Sequence, residues 1–238
     1  MSRSSTLFAG LFGSFAVSCF ALVLIPQSQL GSLQPQFTEE DGKYSDIYPV
    51  ENKSVKSGRE VYASEGCVYC HSQQVRDPQS GTDIERSWGA RRTVARDYLY
   101  DDPVFLGTQR FGPDLANVGS PDWRNEPKDD TTNRPAKRDD AWQYLHLYSP
   151  RAIVKESNQP PYRYLFEVRK ISGQGSADAL KLTGDDALSD PTLEVVPTPE
   201  AKALVTYLRS LNRSTPLKEA AGPSTAGAAP AAAAAPAK

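Results

Sequence analysis

The longest uncharged, apolar run in the sequence extends from Leu7 to Ile25. A helix of this length spans the roughly 30 Å hydrocarbon layer of a bilayer and satisfies its own backbone hydrogen bonds there. Arg3 is the only charged residue before the run, whereas Glu39 and Glu40 follow it. The positive-inside bias therefore predicts a transmembrane helix with its N-terminal end in the cytoplasm and the following residues exported.

Two alternative interpretations of this run remain open. A cleaved signal peptide usually has a shorter apolar core, and no small-x-small cleavage site follows Ile25. Lipid attachment at Cys19 is the other alternative, but the apolar run continues from Phe20 to Ile25, beyond that residue. The sequence therefore favours a membrane anchor comprising residues 1–32.

The rest of the chain has room for one globular domain with appendages, because the sequence has 238 residues. Residues 33–54 are polar without helical periodicity, which predicts a linker, and the domain is expected at residues 55–213. Residues 214–238 are mostly Ala and Pro, which predicts a disordered tail. The almost wholly polar stretch from Ser120 to Asp140 predicts a surface insertion.

Two helices are expected at the ends of this domain, within a mainly α fold that has long irregular loops. Ser57 and Glu60 have the spacing of a capping box, which predicts that the first helix begins there. Thr198 is a suitable N-cap and Pro199 fits the first helical position, which predicts the second helix. That helix has an apolar stripe to bury, and the first helix is the expected partner. The stripe consists of Leu204, Val205, Leu208 and Leu211.

The segment from Cys67 to His71 matches the pattern C-x-x-C-H. Two thiols at this spacing form thioethers with the vinyl groups of a porphyrin, and the adjacent imidazole reaches the iron. The motif predicts one covalently attached haem c, held by Cys67 and Cys70, with His71 as the proximal iron ligand. Haem of this kind is attached on the exported side of the membrane, in agreement with the topology predicted from Arg3.

Other functions of the motif are less compatible with the sequence. A thioredoxin-like dithiol requires a preceding strand in a βαβ unit. A zinc site requires further Cys or His ligands, and His146 is the only other histidine. A net charge of −2, without a cluster of basic residues interleaved with aromatic ones, argues against a nucleic-acid partner.

An N-terminal helix that leads into the motif and an apolar C-terminal helix resemble the class I cytochrome c fold. The segment from Gly112 to Leu115 is similar to the Gly-Pro-x-Leu of that family. There the proline carbonyl accepts a hydrogen bond from the ring of the proximal histidine. The resemblance therefore implies that Pro113 fixes the tautomer of His71.

Five segments in order resemble the monohaem subunit II, the FixO/CcoO family, of cbb3-type cytochrome c oxidases. The resemblance implies an electron-transfer subunit in the bacterial inner membrane, with its haem domain in the periplasm. The implied partners are the catalytic haem–copper oxidase subunit I and a dihaem cytochrome c subunit III, or another cytochrome c, as donor. The five segments are Gly58–Tyr62, Gly66–Gln73, Gly112–Gly119, His146–Arg151 and Pro160–Tyr162.

One position departs from this family. Its sixth iron ligand is a methionine just before the Pro-x-Tyr segment, where this chain has Gln159, and Met1 is the only methionine. Three arrangements remain open: a weak amide ligand from Gln159, ligation by His146, or a five-coordinate iron. His146 lies on the apolar face of a short helix expected to be capped by Asp139 or Asp140, where a core role is the simpler interpretation. Each arrangement lowers the reduction potential relative to methionine ligation.

Two other functional classes remain open. The cytochrome subunit of nitric oxide reductase has the same layout of one anchor and one haem, although the segments beginning at His146 and Pro160 favour the oxidase. A haem-based sensor is compatible with the missing methionine, but a sensor needs an output module that the sequence does not contain. The apolar run has no ionisable side chain, so it provides no proton path across the membrane.

Overall fold

A computed structural model describes residues 3–40, 43–46, 52–124 and 138–220. The chain divides into two compact units, one containing residues 1–47 with 94–101 and the other containing residues 48–93 with 102–238. Regular structure in the described residues is mostly helical. The helices are α1 (Arg3–Cys19), α2 (Ile25–Leu30), α3 (Lys53–Ser64), α4 (Asp140–Tyr148), α5 (Pro150–Ile153) and α6 (Pro199–Ser210), and the strands are β1 (Phe37–Glu40), β2 (Lys43–Asp46), β3 (Phe166–Lys170) and β4 (Leu193–Pro197).

The first unit contains an apolar helix that runs without interruption from Arg3 to Leu30. It joins α1 to α2 through a π-helical turn at Phe20–Leu24. Pro26 follows that turn and lacks the N–H that would bond the preceding turn, which explains why the helix loosens there. Among the described residues this is the one helix long and apolar enough to cross a membrane, which indicates single-pass anchoring.

The linker predicted at residues 33–54 contains regular structure. Strands β1 and β2 form an antiparallel pair in which Phe37 lies opposite Asp46 and Glu40 lies opposite Lys43. The first unit also includes a 3-10 turn at Ala95–Tyr98, where Val94 N donates to the Asp97 carboxylate at 2.8 Å. Neither feature has the apolar periodicity that would have marked it in the sequence.

The second unit is built on α3 and α6. Asn52 caps α3 by accepting a hydrogen bond from Val55 N at 2.9 Å. The prediction that this helix begins at Ser57 is therefore wrong, because Asn52 is an equally good cap one turn earlier and Ser57 lies exposed within the helix. The prediction for α6 is confirmed, since Thr198 accepts from Ala201 N at 3.3 Å and Pro199 is its first residue.

The predicted packing of α6 against α3 is also confirmed. All four residues of the apolar stripe are buried, and Leu204 is only 1% exposed. The two backbones approach closely at Gly58, where an added Cβ would lie 1.9 Å from the Ala203 carbonyl oxygen. Glycine is required at this position for the two helices to meet.

Helix α4 and the β3–β4 pair complete this unit. Asp139 caps α4 by accepting from Trp142 N at 3.0 Å, which confirms the predicted capping region. Strand β3 pairs antiparallel with β4, with Phe166 opposite Pro197. The Phe166 ring meets the edge of Tyr148 at a centroid distance of 5.3 Å and so joins the strands to α4.

The predicted surface insertion and the predicted disordered tail both contribute to the core where they are described. Trp123 is 4% exposed and donates through Nε1 to the Asp114 carbonyl at 2.9 Å, so the insertion predicted from Ser120 begins as core. Leu217 is 2% exposed, so the first residues of the predicted tail are packed. A single large apolar side chain is sufficient to anchor a polar stretch. Residues 125–137 and 221–238 lie outside the described residues.

Candidate haem-binding cavity

The C-x-x-C-H segment begins directly after α3, where the chain reverses. Gly66 makes this reversal with φ at 71°, a conformation that favours glycine. A 3-10 turn then covers Cys67–Tyr69, and His71 N donates to the Cys67 carbonyl at 2.9 Å. This tight turn places both thiols and the imidazole on the wall of one cavity.

The two cysteines of the motif are free thiols that differ in exposure. Cys67 is partly buried, whereas Cys70 is exposed. Burial, assisted by the charge of Glu65, raises the pKa of Cys67 to about 12. Its thiol is therefore neutral, and a neutral thioether at the same place carries no cost of burying a charge.

The imidazole of His71 is fixed by the backbone of Gly112 and Pro113. His71 Nδ1 lies 2.8 Å from the Pro113 carbonyl oxygen. An added Cβ at Gly112 would lie 2.2 Å from His71 Cε1, so only glycine allows the backbone to pack this closely on the ring. Burial lowers the pKa of His71 and keeps the ring neutral. Because the carbonyl accepts the Nδ1 proton, Nε2 keeps the lone pair that a metal requires.

A buried carboxylate connects this loop to the motif. Asp114 is completely buried and accepts hydrogen bonds from Ser72 Oγ at 2.6 Å, Gln74 N at 2.7 Å and Ala116 N at 2.9 Å. Burial raises the pKa of Asp114, and these three hydrogen bonds oppose that shift. The carboxylate therefore joins residues 72–74, which follow the iron-ligand position, to the loop that holds His71.

Arg110 extends this connection to a second carboxylate. Its Nε donates to Ser72 Oγ at 2.7 Å, and its Nη1 lies 2.7 Å from Asp83 Oδ1. Asp83 is 3% exposed and also accepts from Arg76 N at 2.7 Å. We name the side chains of Ser72, Asp83, Arg110 and Asp114 the proximal network. Sequence reasoning did not find it, because its hydrogen bonds join residues 27 to 42 positions apart.

The cavity beside the motif has a volume of about 620 Å³, within the usual range for cofactor sites. Apolar side chains from distant parts of the sequence form most of its wall. They include Trp88, Leu115, Trp142, Leu204 and Leu208. The apolar stripe of α6 thus serves both the helix packing and the cavity.

His146 and Gln159 also line this cavity, so the structure brings all the sequence-predicted iron-ligand candidates together. Gln159 lies close enough to both histidine rings to oppose the lowering of their pKa values. Gln159 Nε2 also donates to the His146 backbone carbonyl at 3.3 Å. Burial lowers the pKa of His146 to about 4, assisted by electrostatic interaction with His71 and Arg124.

A family model described as "Cytochrome C oxidase, mono-heme subunit/FixO" matches residues 13–184. The match covers more than two thirds of the chain and includes the motif, the loop at Pro113 and Gln159. The chain belongs to the FixO family. It is thus a mono-haem subunit of a cytochrome c oxidase complex. Its partners are the catalytic subunit of that complex and a membrane. A comparison with curated proteins finds no match.

The polar groups of the cavity fit the haem that the FixO family implies. Tyr62 Oη, His146 Nδ1 and Gln143 Nε2 line the cavity, are buried and have no hydrogen-bond partner among the described residues. Buried polar groups are nearly always paired, so three unpaired ones at one cavity indicate a ligand with polar groups. Haem has an apolar ring and two carboxylates. Apolar walls beside thiols, an imidazole and these donors fit such a ligand.

Four arginines close together in the sequence of this FixO-family chain lie in different surroundings in the structure. Of Arg86, Arg91, Arg92 and Arg96, only Arg86 lines the cavity. Arg91 is buried elsewhere and donates to the Thr215 carbonyl at 2.8 Å. Arg110 and Arg124 line the cavity in addition to Arg86, and sequence reasoning did not single them out.

Proposed function

We propose that this chain is the electron-transfer subunit of a cbb3-type oxidase and holds one haem c through thioethers at Cys67 and Cys70. His71 is the proximal iron ligand and Pro113 fixes its tautomer. The observation that carries this proposal is the His71 ring, with Nδ1 2.8 Å from the Pro113 carbonyl oxygen, on the wall of the cavity that both thiols line. The domain follows the class I cytochrome c arrangement, in which the helix that leads into the motif, here α3, packs on an apolar C-terminal helix, here α6.

Bound haem supplies an iron that exchanges one electron at a time. The residues of this chain hold it and set its surroundings. Trp88, Leu204 and Leu208 exclude water from the cavity, which favours the less charged state of the iron site. Gln143 and Arg86 line the same cavity and offer donors to the two haem carboxylates.

We further propose that electrons enter from a dihaem cytochrome c subunit III, or from another cytochrome c, and leave towards the catalytic haem–copper subunit I. The domain then lies in the periplasm and the helix Arg3–Leu30 anchors it in the bacterial inner membrane. Residues Leu7 to Ile25 contain no ionisable side chain, so proton movement and oxygen reduction belong to the catalytic subunit. This chain contributes electron transfer alone.

The test of haem attachment is the double variant Cys67→Ala/Cys70→Ala, produced in cells that mature c-type cytochromes. We expect the wild-type chain to keep its haem on a denaturing gel stained for haem peroxidase activity, and the double variant to lose it. Cys19→Ala is the matched control, because Cys19 lies on α1 and not at the cavity, and it should keep the haem. A stained band in the double variant would contradict the proposal.

Purification of the intact complex tests the oxidase assignment separately. Copper and high-spin haem b in the purified complex support a haem–copper oxidase. Non-haem iron in place of copper would instead identify a nitric oxide reductase complex.

A further inference from the structure

The proximal network places three charged side chains beside the segment that bears His71. Asp114 is completely buried, Asp83 is 3% exposed, and the side chain of Arg110 is 14% exposed. Charges held this far from water are screened little, so they act on a neighbouring group more strongly than surface charges do. Because haem changes its charge by one unit when it exchanges an electron, its reduction potential responds to such charges.

The network is attached to the surroundings of His71 at two points. Ser72 follows His71 directly in the chain. Asp114 follows Pro113, whose carbonyl oxygen lies 2.8 Å from His71 Nδ1. The Ser72 hydroxyl and the Asp114 carboxylate meet at 2.6 Å and so close the connection between the two segments. The buried charges therefore lie on the same side of the cavity as the proximal imidazole.

The directions of the hydrogen bonds favour an ionised Asp114. Arg110 Nε can only donate, so Ser72 Oγ accepts from it at 2.7 Å. The hydroxyl hydrogen of Ser72 is then donated to Asp114 Oδ2. The backbone N–H groups of Gln74 and Ala116 donate to the same carboxylate at 2.7 and 2.9 Å. Three donated hydrogen bonds stabilise the charged form of a carboxyl group.

Arg110 lines the cavity, but each of its nitrogens already donates within the protein. Nε donates to Ser72 Oγ, and Nη1 donates to both carboxylate oxygens of Asp83 at 2.7 Å. Nη2 donates to the Gln74 carbonyl and lies 3.6 Å from Asp114 Oδ2. The guanidinium is therefore held in one place by the network. It presents a fixed positive charge to the cavity.

We propose that the proximal network sets the reduction potential of the haem electrostatically, with Asp114 and Asp83 lowering it and Arg110 raising it. This inference rests on the proposed attachment of haem at the C-x-x-C-H motif. Oxidised haem iron carries one more positive charge than reduced iron. A nearby carboxylate therefore stabilises the oxidised state, whereas a nearby guanidinium stabilises the reduced state. Two carboxylates and one guanidinium leave one negative charge, so the network as a whole lowers the potential.

The test is the midpoint reduction potential of the haem-loaded full-length chain, measured by redox titration of its visible spectrum. Asp114→Asn removes the buried charge and keeps the shape of the side chain. We expect it to shift the equilibrium towards reduced haem by about ten-fold, a rise of about 59 mV for one electron. Asp122→Asn is the matched control, because it removes the same charge at an exposed position, and its shift should stay below about two-fold.

The sign of this shift separates an electrostatic effect from a disturbed structure. A loosened cavity admits water, which stabilises the more charged, oxidised state and lowers the potential. A rise in Asp114→Asn therefore cannot come from loosening. An unchanged or lower potential in this variant would overturn the inference.

Arg110 provides the opposite shift and a second, independent comparison. Arg110→Gln removes the positive charge and should lower the potential, whereas Arg110→Lys keeps the charge, loses the planar fork and should remain close to the wild-type chain. Lys56→Gln removes the same charge from an exposed position of α3 and should have little effect. Equal potentials in the two Arg110 variants would overturn the inference, and this pair decides the question if Asp114→Asn does not fold.

Haem staining of the same samples separates this inference from the proposed function. Loss of covalent haem from the wild-type chain contradicts the proposed function itself. A wild-type chain that retains covalent haem, with variants whose potentials do not shift in these directions, overturns the role of the proximal network alone.

Discussion

The two sides of the cavity differ in how completely the chain pairs its own polar groups. On the side of His71, the proximal network pairs Asp114 with three donors and connects it through Ser72 to Arg110. Elsewhere on the cavity wall, Tyr62 Oη, His146 Nδ1 and Gln143 Nε2 are buried without partners among the described residues. The chain organises the surroundings of Asp114 by itself, whereas a bound haem can pair polar groups that the rest of the wall leaves unpaired.

This difference has a physical consequence for stability. A buried polar atom without a partner costs about 1–3 kcal/mol, whereas a satisfied buried network specifies one arrangement of the chain. The proximal side can therefore hold the His71 ring in one tautomer before haem arrives. The other side carries a local cost that a bound haem with two carboxylates reduces.

The largest effect on stability is expected for Asp114→Ala, which removes the buried carboxylate of the proximal network. Removal of the buried carboxylate leaves the Ser72 hydroxyl and the backbone N–H groups of Gln74 and Ala116 without their acceptor. We expect the free energy of unfolding to fall by roughly 3–5 kcal/mol, measured by denaturant titration of the haem-loaded chain.

Asp122→Ala is the control for this prediction, because Asp122 is exposed and lies in the same part of the sequence. Its effect should remain within about 0.5 kcal/mol. An equally small effect of Asp114→Ala would show that the proximal network does not organise this side.

A second prediction concerns the close approach of the backbone to the His71 ring. In Gly112→Ala the added methyl would lie 2.2 Å from His71 Cε1, so the ring or the loop must move. We expect a loss of roughly 1–3 kcal/mol in unfolding free energy and an altered absorption spectrum, because the hydrogen bond to Pro113 is disturbed. Gly175→Ala has room for its methyl, with Glu194 Oε2 at 3.5 Å, and should leave the spectrum unchanged. An unchanged spectrum in Gly112→Ala would argue against a fixed ring.

The sequence was sufficient for features that depend on local pattern. The cap of α6 at Thr198 and its buried stripe were predicted and confirmed, and the cap of α4, predicted at Asp139 or Asp140, is Asp139. Each depends on residues within one or two helical turns, where spacing determines which side chains meet. The family was also recognised from short motifs, and the matching family model confirms it.

The sequence was insufficient where a contact joins distant residues or where two signals compete. The start of α3 was misplaced because Ser57 and Asn52 are both acceptable caps, and tertiary packing favours the longer helix. The proximal network was missed because Arg110, Asp83 and Ser72 have no common periodicity. Trp123 looked like part of a polar insertion, but its contact with Asp114 depends on the folded loop.

The smallest effect on stability is expected for a substitution of Gln143, one of the unpaired residues of the cavity wall. Gln143→Leu removes one of the three unpaired buried polar groups at the cavity, and Gln143 is 4% exposed. If a haem carboxylate accepts from Nε2, the haem-loaded variant should lose about 1 kcal/mol of unfolding free energy, the contribution of one hydrogen bond. Gln74→Leu is the control, because its side chain is exposed, and it should have no measurable effect. A gain in stability for Gln143→Leu would show that Nε2 stays unpaired with haem bound, since replacing an unsatisfied buried amide by an apolar side chain removes its desolvation cost.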